Sequence, residues 1–326
     1  MTTALALLRL ITSGREPGKG IVRVEQAGDG LGWLRTLLAN VCFVGSERGW
    51  VLIDAGIRGH AHRIMEAGRA FTGSDRPPLA ILLTHAHFDH VGSLPALLRQ
   101  WHDVPVYAHP LEIPYLTGLS SYPPPDPLVG GGALSWVARA YPRRPLNLGN
   151  RVQPLPSDGE VPGLPEWRWL ATPGHSPGHV SFVRMHDRAV VAGDAVITTR
   201  QESLSAVVQQ RLELHGPPAY YTQNWYAAAQ SVRTLADQRP TILLSGHGRP
   251  MSGPTLAASL KSLADRFEME ETPRRGRYVR QPARANERGV VWVPPDPLPS
   301  VVARSMAPLA AGIAAVFVAR RARRKV

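Results

Sequence analysis

"LLTHAHFDHVGS", residues 82–93, places three histidines and an aspartate within six consecutive positions, directly after an apolar run. In an extended or tightly turned segment, side chains two apart project to the same side, so His85 and His87 can meet one cation. Asp89 and His90 then point to a second position as the chain turns into the next helix. Imidazole and carboxylate are the nitrogen and oxygen donors that divalent cations take. A lone histidine is usually a hydrogen-bonded core or surface residue, but four ligand-type side chains at the end of one buried strand point to a metal site.

The same pattern, an apolar run closed by a polar group, recurs in "WVLIDAG" (50–56), "LAILLTH" (79–85), "WRWLATPGH" (167–175), "AVVAGD" (189–194) and "TILLSGHG" (241–248). Near-continuous apolar runs of this length predict strands buried on both faces. Amphipathic stretches between them predict helices over about 58–71, 92–101, 133–141, 226–238 and 255–271; the last carries leucines, Ala264 and Phe267 at three- and four-residue steps. Alternating strands and helices indicate an α/β domain with its functional groups on loops at the carboxyl ends of strands. The other strand ends offer His175, His179, Asp194, His247 and Asp54.

Taken in order, "THAHFDH", "TPGHSPGH", "AGDAV" and "SGHG" resemble the metallo-β-lactamase-fold hydrolase superfamily over roughly residues 20–272. The combination is specific, although any part after the first is weak alone. The resemblance implies a four-layer αβ/βα sandwich, with two sheets face to face and helices outside, here followed by a C-terminal extension. It implies two divalent metal ions: His85, His87 and His175 for the first, Asp89, His90 and His247 for the second, and Asp194 bridging both. Zinc suits this donor set, and iron or manganese is also accepted by it. Two cations sharing a water lower its pKa from about 15.7 toward about 7, giving a hydroxide nucleophile for hydrolysis. Asp89 is then also catalytic, orienting the hydroxide and passing its proton onward. His179 matches a position that is not usually a ligand and is expected to support the ligands from behind. Asp54 matches an acidic residue beneath the site that orients a ligand imidazole or the loop backbone; the alternative is a strand-end cap.

"TPGHSPGHVSF" followed by "AGDAV" looks most like the hydroxyacylglutathione hydrolase and lactonase branches, so the expected substrate is a small molecule with a thioester, lactone or ester carbonyl. The seven-ligand set differs from that of the persulfide dioxygenases, which use fewer ligands. The substrate-contacting part departs from these branches. The insert "QQRLELHGPPAYYTQNWYAAAQ" (209–230) offers Arg211 as the nearest basic residue, and Tyr220, Tyr221, Asn224 and Trp225 either line a substrate pocket or pack a helix start. The competing expectation is a phosphodiesterase or nuclease acting on nucleic acid or a nucleotide, since such enzymes share the "HxHxDH" cluster.

Charge argues against nucleic acid as the partner. The formal net charge is +12, but residues 273–326 hold twelve Lys and Arg against Glu287 and Asp296, leaving +2 for residues 1–272. Phosphate binding normally calls for a basic surface around the site. The expected organisation is an N-terminal segment (1–19), a catalytic domain (20–272), an extended basic arm (273–300) and an apolar, then polybasic tail (301–326). "SYPPPDPLVGGG" (121–132) is too rich in Pro and Gly for a regular element and reads as a loop that connects or covers. Cys42 is the one cysteine and sits in apolar "NVCFVG", which suits a buried thiol in a reducing compartment. The N-terminus does not read as a secretory signal, so a cytoplasmic location is expected. In the tail, Met306 to Ala319 is short of the ~20 residues needed to cross a bilayer. Arg320, Arg321, Arg323, Arg324 and Lys325 suit peripheral contact with an anionic inner-membrane face, the alternatives being a true span and a tail that packs on its own domain or takes no fixed structure.

Overall fold

The computed structural model describes residues 23–297. The N-terminal segment 1–19 and the tail 301–326, with its expected membrane contact, lie outside the described residues. Seven strands run in chain order across the first sheet: β1 (Glu25–Gly28), β2 (Leu31–Thr36), β3 (Ala39–Ser46), β4 (Gly49–Ile53), β5 (Ile81–Leu82), β6 (Val106–Ala108) and β7 (Val152–Pro154). The first four pair antiparallel and β4 to β7 pair parallel. The second sheet holds β8 (Trp167–Ala171), β9 (Val180–Arg184), β10 (Ala189–Gly193), β11 (Ile242–Ser245) and β12 (Met251–Ser252), in the order β12-β11-β10-β9-β8. Within it, β10 and β11 are parallel and the other pairs antiparallel.

The continuous apolar strands are explained by how alternate residues divide between two interfaces. In β4, Trp50 and Leu52 join an outer core shared with helices 61–72 and 94–100, whereas Val51 and Ile53 join a core between the sheets. In β10, Ala189 and Val191 enter that same central core, whereas Val190 and Ala192 join a second outer core with helices 225–237 and 256–270. A strand with apolar partners on both faces cannot afford the polar alternation of a half-exposed one. The result is the expected αβ/βα arrangement of layers. Helix 256–270 buries Leu256, Leu260, Leu263, Ala264 and Phe267, the stripe that its three- and four-residue spacing dictates. Full burial of each large side chain in that stripe contributes roughly 1.5–3 kcal/mol.

The five anticipated strands and the expected helices are present, with one helix shortened. Residues 133–141 form an α-helix over Ala133–Val137 that tightens into a 3-10 turn over Ala138–Ala140. Strands β1 to β3, β6, β7, β9 and β12 add to the sequence expectation. The chain beyond 272 packs on the core. Tyr278 is buried in the second outer core, and its hydroxyl donates to the Pro124 carbonyl at 2.6 Å. A hairpin of β13 (Arg284–Asn286) and β14 (Gly289–Trp292) follows, with Val290 N–H donating to Ser120 Oγ at 3.0 Å. The compact unit therefore continues to Val293, so the boundary expected at 272 does not separate the basic arm from the fold. Among the described residues, no helix is long and apolar enough to cross a membrane.

Candidate metal centre

Each candidate ligand follows the carboxyl end of a strand. β5 ends at Leu82; the chain bends at Thr84, is extended at His87 (φ −65°, ψ 151°) and then enters the short helix Phe88–Val91. His85 and His87 therefore lie on the loop between strand and helix, and Asp89 and His90 on the helix. His175 follows β8, Asp194 follows β10 and His247 follows β11. The last approach requires a glycine, because a Cβ on Gly246 would lie 1.9 Å from Asp194 Oδ1.

All seven residues meet in one buried cluster, of which Asp89, at 7% exposure, is the most accessible. Ligand atoms within 4.8 Å of one another group as His85, His87 and His175; as His85, His90 and Asp194; and as Asp89, His90 and His247. Asp194 stands between the groups. Its Oδ2 lies 3.0 Å from His247 Nε2 and 3.3 Å from His175 Nε2, while Oδ1 lies 3.4 Å from His90 Nε2. His87 Nδ1 approaches His175 Nε2 at 2.9 Å, and Asp89 Oδ2 is 3.6 Å from His247 Nε2.

Fixed acceptors behind the cluster decide which ring nitrogens face it. Asp54 Oδ1 accepts the Thr84 N–H at 2.8 Å, and Oδ2 accepts both the Thr84 hydroxyl and His90 Nδ1–H, each at 2.8 Å. With its own proton committed to Asp54, Thr84 Oγ1 accepts from His85 Nδ1–H at 3.0 Å. The Leu38 carbonyl likewise accepts His247 Nδ1–H at 2.9 Å. Three rings are thus held with an Nε2 lone pair toward the centre, the arrangement a metal ligand needs. Asp54 acts from an unusual backbone position, φ 62°, which Asp and Asn tolerate better than other side chains.

The residues fit cations. His85 Nε2, His90 Nε2 and Asp194 Oδ1 are buried with no hydrogen-bond partner. Each such orphan costs about 1–3 kcal/mol unless something satisfies it. Divalent ions held by these overlapping groups would satisfy the converging lone pairs together, and nitrogen with carboxylate oxygen suits zinc, iron or manganese.

Electrostatics favour the same outcome. Burial, joined by neighbouring imidazoles, holds His85 well below the usual histidine range, and burial brings His175 down to about 4. Both rings are therefore neutral near pH 7 and able to ligate. Burial also opposes charge on His90 and Asp194. Yet the Asp194 and Asp54 carboxylates raise His90 well above its usual value, and His247 and His90 hold Asp194 well below the carboxylate range. Cation and proton compete for these atoms.

His179 is not available as a ligand. Its Nε2 accepts the Asp194 N–H at 2.9 Å, so its Nδ1–H must donate to Thr172 Oγ1 at 2.8 Å. Thr172 then donates to Ser181 Oγ at 2.9 Å, and Ser181 to the Ala192 carbonyl at 3.0 Å. This directed chain runs from the backbone of Asp194 to that of β10 and fixes the central carboxylate. Burial brings the His179 ring down to about 3, consistent with the acceptor role of Nε2.

Several supporting groups had no signal in the sequence. Glu112 is fully buried, with Oε1 accepting from Ser176 Oγ and Gly178 N–H, both at 2.8 Å, and Oε2 accepting from Ala86 N–H at 3.0 Å and from the Tyr122 hydroxyl. It ties the 84–90 loop to the 175–179 loop. Asn40 Nδ2 donates to the Ser245 and Gly248 carbonyls at 2.9 and 2.7 Å, tying β3 to the His247 loop.

Beside His87 lies a cavity of about 440 Å³. Of the four pocket candidates, Tyr221 lines it. Tyr220 is buried in an aromatic and aliphatic cluster with Tyr141 and Leu134. Asn224 caps helix 225–237 through Oδ1, which accepts Ala227 N–H at 3.0 Å, and Trp225 packs against Phe267 in the second outer core. These last two serve the helix start rather than the cavity. Arg211 is exposed, pairs with Glu213 at 3.3 Å and does not line the cavity.

Comparison with known proteins agrees with this geometry. The family model for the metallo-beta-lactamase superfamily matches residues 34–247, a span that includes all seven clustered residues. The chain is 44% identical over 245 residues to the probable metallo-hydrolase YflN of Bacillus subtilis, covering 74% of this chain and 92% of that one. It is 32% identical over 216 residues to the probable metallo-hydrolase YqgX of the same species, covering 63% and 92%. A B3 metallo-β-lactamase with an active-site glutamic acid shares the fold at 18% identity and a TM-score of 0.53, over 82% of this chain and 93% of that one. With two face-to-face sheets, a histidine and aspartate cluster at their strand ends and a family match spanning that cluster, the chain belongs to the metallo-β-lactamase superfamily.

Proposed function

We propose that the protein is a binuclear metal-dependent hydrolase of a small carbonyl substrate: a thioester, lactone or ester. His85, His87 and His175 would hold one ion and Asp89, His90 and His247 the other, with Asp194 available to both. The observation that carries this reading is the position of Asp194, whose Oδ2 faces His175 and His247 while Oδ1 faces His90. When bound, two divalent ions supply Lewis acidity and lower the pKa of a water from about 15.7 toward about 7. Zinc fits the donor set, and iron and manganese fit it as well.

The chain's own residues do the rest. Asp89, the most accessible carboxylate of the cluster, would orient the water and accept its proton. Asp54 and the Leu38 carbonyl hold the imidazole tautomers, and His179 holds the Asp194 backbone. The cavity beside His87 is lined largely by apolar and aromatic side chains, which favours an organic acyl group over a polynucleotide. The names of the similar Bacillus proteins, both probable metallo-hydrolases, support the reaction class.

A hydrolysis panel of thioester, lactone, ester, β-lactam and phosphodiester substrates tests this, run separately with zinc, manganese and iron forms. Turnover of a carbonyl substrate that is lost on chelation and restored by metal is the expected result. Cleavage confined to phosphodiesters contradicts it.

A further inference from the structure

The cavity beside His87 carries an unbalanced charge. Its walls are apolar and aromatic, but Arg58, Arg143 and Arg144 stand exposed at its rim, and no carboxylate lines it. Among the described residues, none of the three guanidinium groups makes an ion pair, and Arg143 donates to the Tyr122 carbonyl at 3.3 Å. Guanidinium groups gathered without a counter-charge repel one another, and a carboxylate matches their paired donors. Tyr115 and Tyr221 contribute to the wall of the same cavity, with their hydroxyl oxygens buried behind it. Tyr221 also packs against His87, with ring centroids 4.4 Å apart, so the cavity that the arginines line is also bordered by a member of the ligand cluster.

We infer that this cavity selects a substrate whose acyl chain carries a carboxylate, held by Arg58, Arg143 and Arg144. The inference rests on the carbonyl-hydrolase reading for the reaction but not for the binding. A volume of about 440 Å³ accommodates a short acyl chain rather than a peptide or nucleic acid. The arginines of "YPRRPL" (141–146), and not Arg211, are the basic groups at this cavity.

Calorimetric titration of the metal-loaded full chain tests the binding directly. Malonate, succinate, glutarate and adipate are each compared with the monocarboxylate of equal length. One carboxylate of each probe is free to reach the metals, so the difference within a pair reports the second. At least one dicarboxylate should bind ~10-fold or more tightly than its partner. That preference should fall below about threefold in an Arg143→Ala, Arg144→Ala double variant and largely survive in the corresponding double Lys variant. No preference in any pair, or a preference indifferent to loss of both arginines, overturns the inference. In a parallel arm, the ratio of kcat/KM for 4-nitrophenyl hemiglutarate over 4-nitrophenyl pentanoate should drop by the same factor in the double Ala variant. If neither ester is cleaved while the arginine-dependent binding preference stands, the carbonyl-hydrolase reading fails and the carboxylate site remains.

Discussion

Asp54 contacts neither substrate nor metal, yet its replacement by Asn should weaken both metal positions. Asn tolerates the left-handed backbone at φ 62°, so the substitution isolates the side chain. The carboxylate accepts three hydrogen bonds, each at 2.8 Å: from Thr84 N–H, from the Thr84 hydroxyl and from His90 Nδ1–H. An amide has one acceptor oxygen and one donor nitrogen. If the oxygen faces Thr84 N–H, the amide nitrogen confronts His90 Nδ1–H, and relief comes by moving the His90 proton to Nε2, where it removes the ligand lone pair. If the oxygen faces His90, the Thr84 N–H is orphaned, and the Thr84 hydroxyl that supports His85 is disturbed. In either case at least one charge-assisted bond of about 1.5–3 kcal/mol is lost. That loss corresponds to roughly 10- to 100-fold in metal affinity, the usual size of an effect behind the ligands. Because His85 belongs to one ligand group and His90 to the other, both ions should weaken together. Chelator competition, followed by metal analysis at each step, measures the two affinities. Affinities within threefold of wild type at both positions would refute the tautomer argument.

Asp89→Asn should keep the fold and lose ~10²-fold or more in turnover, since an amide cannot accept the proton; activity within a few-fold at equal metal content removes that role. Asp194→Ala should lose more metal than His179→Gln, because one carboxylate faces both ligand groups whereas His179 only holds its backbone. Equal metal loss on elemental analysis contradicts the bridging assignment. Away from the site, burial disfavours charge on His215, but Glu271 at 3.2 Å and Glu213 at 3.4 Å outweigh it and raise its pKa. The stability from these pairs is therefore present below the unfolded value near 6.5 and lost as pH rises through the folded value. Being partly exposed, they contribute no more than about 1 kcal/mol. His215→Gln should depress the thermal midpoint more at pH 5.5 than at pH 9, and equal depression at the two values argues against the pairing.

What the sequence made legible follows from burial. Segments such as 50–56, 189–194 and 241–248 are apolar without interruption because both faces of their strands are covered, so they could be recognised with no partner in view. Strands β1 to β3 were harder to see: Gly28, Gly30 and Gly32 interrupt the run, and Arg35 breaks its apolar character. The ligand cluster was readable because its side chains are chemically rare together and end those same strands. Its supports were not. The Leu38 carbonyl is backbone and has no residue signature, while Glu112 and Tyr122 look ordinary until the fold brings them to the 84–90 loop. The aromatic run 220–225 gave a mixed signal because one short stretch serves two ends. Tyr221 lines the cavity, while Asn224 and Trp225 begin a helix packed on the far core.

The central claim is that two ions share Asp194 and that catalysis needs both. Stepwise metal reconstitution of chelated protein, with bound equivalents and hydrolytic activity measured on the same samples, tests it most directly. The account predicts that content rises to two equivalents per chain and that most activity arrives with the second, while Asp194→Ala fails to reach two. Full activity at one stable equivalent, with Asp194→Ala retaining that ion, would contradict the binuclear site.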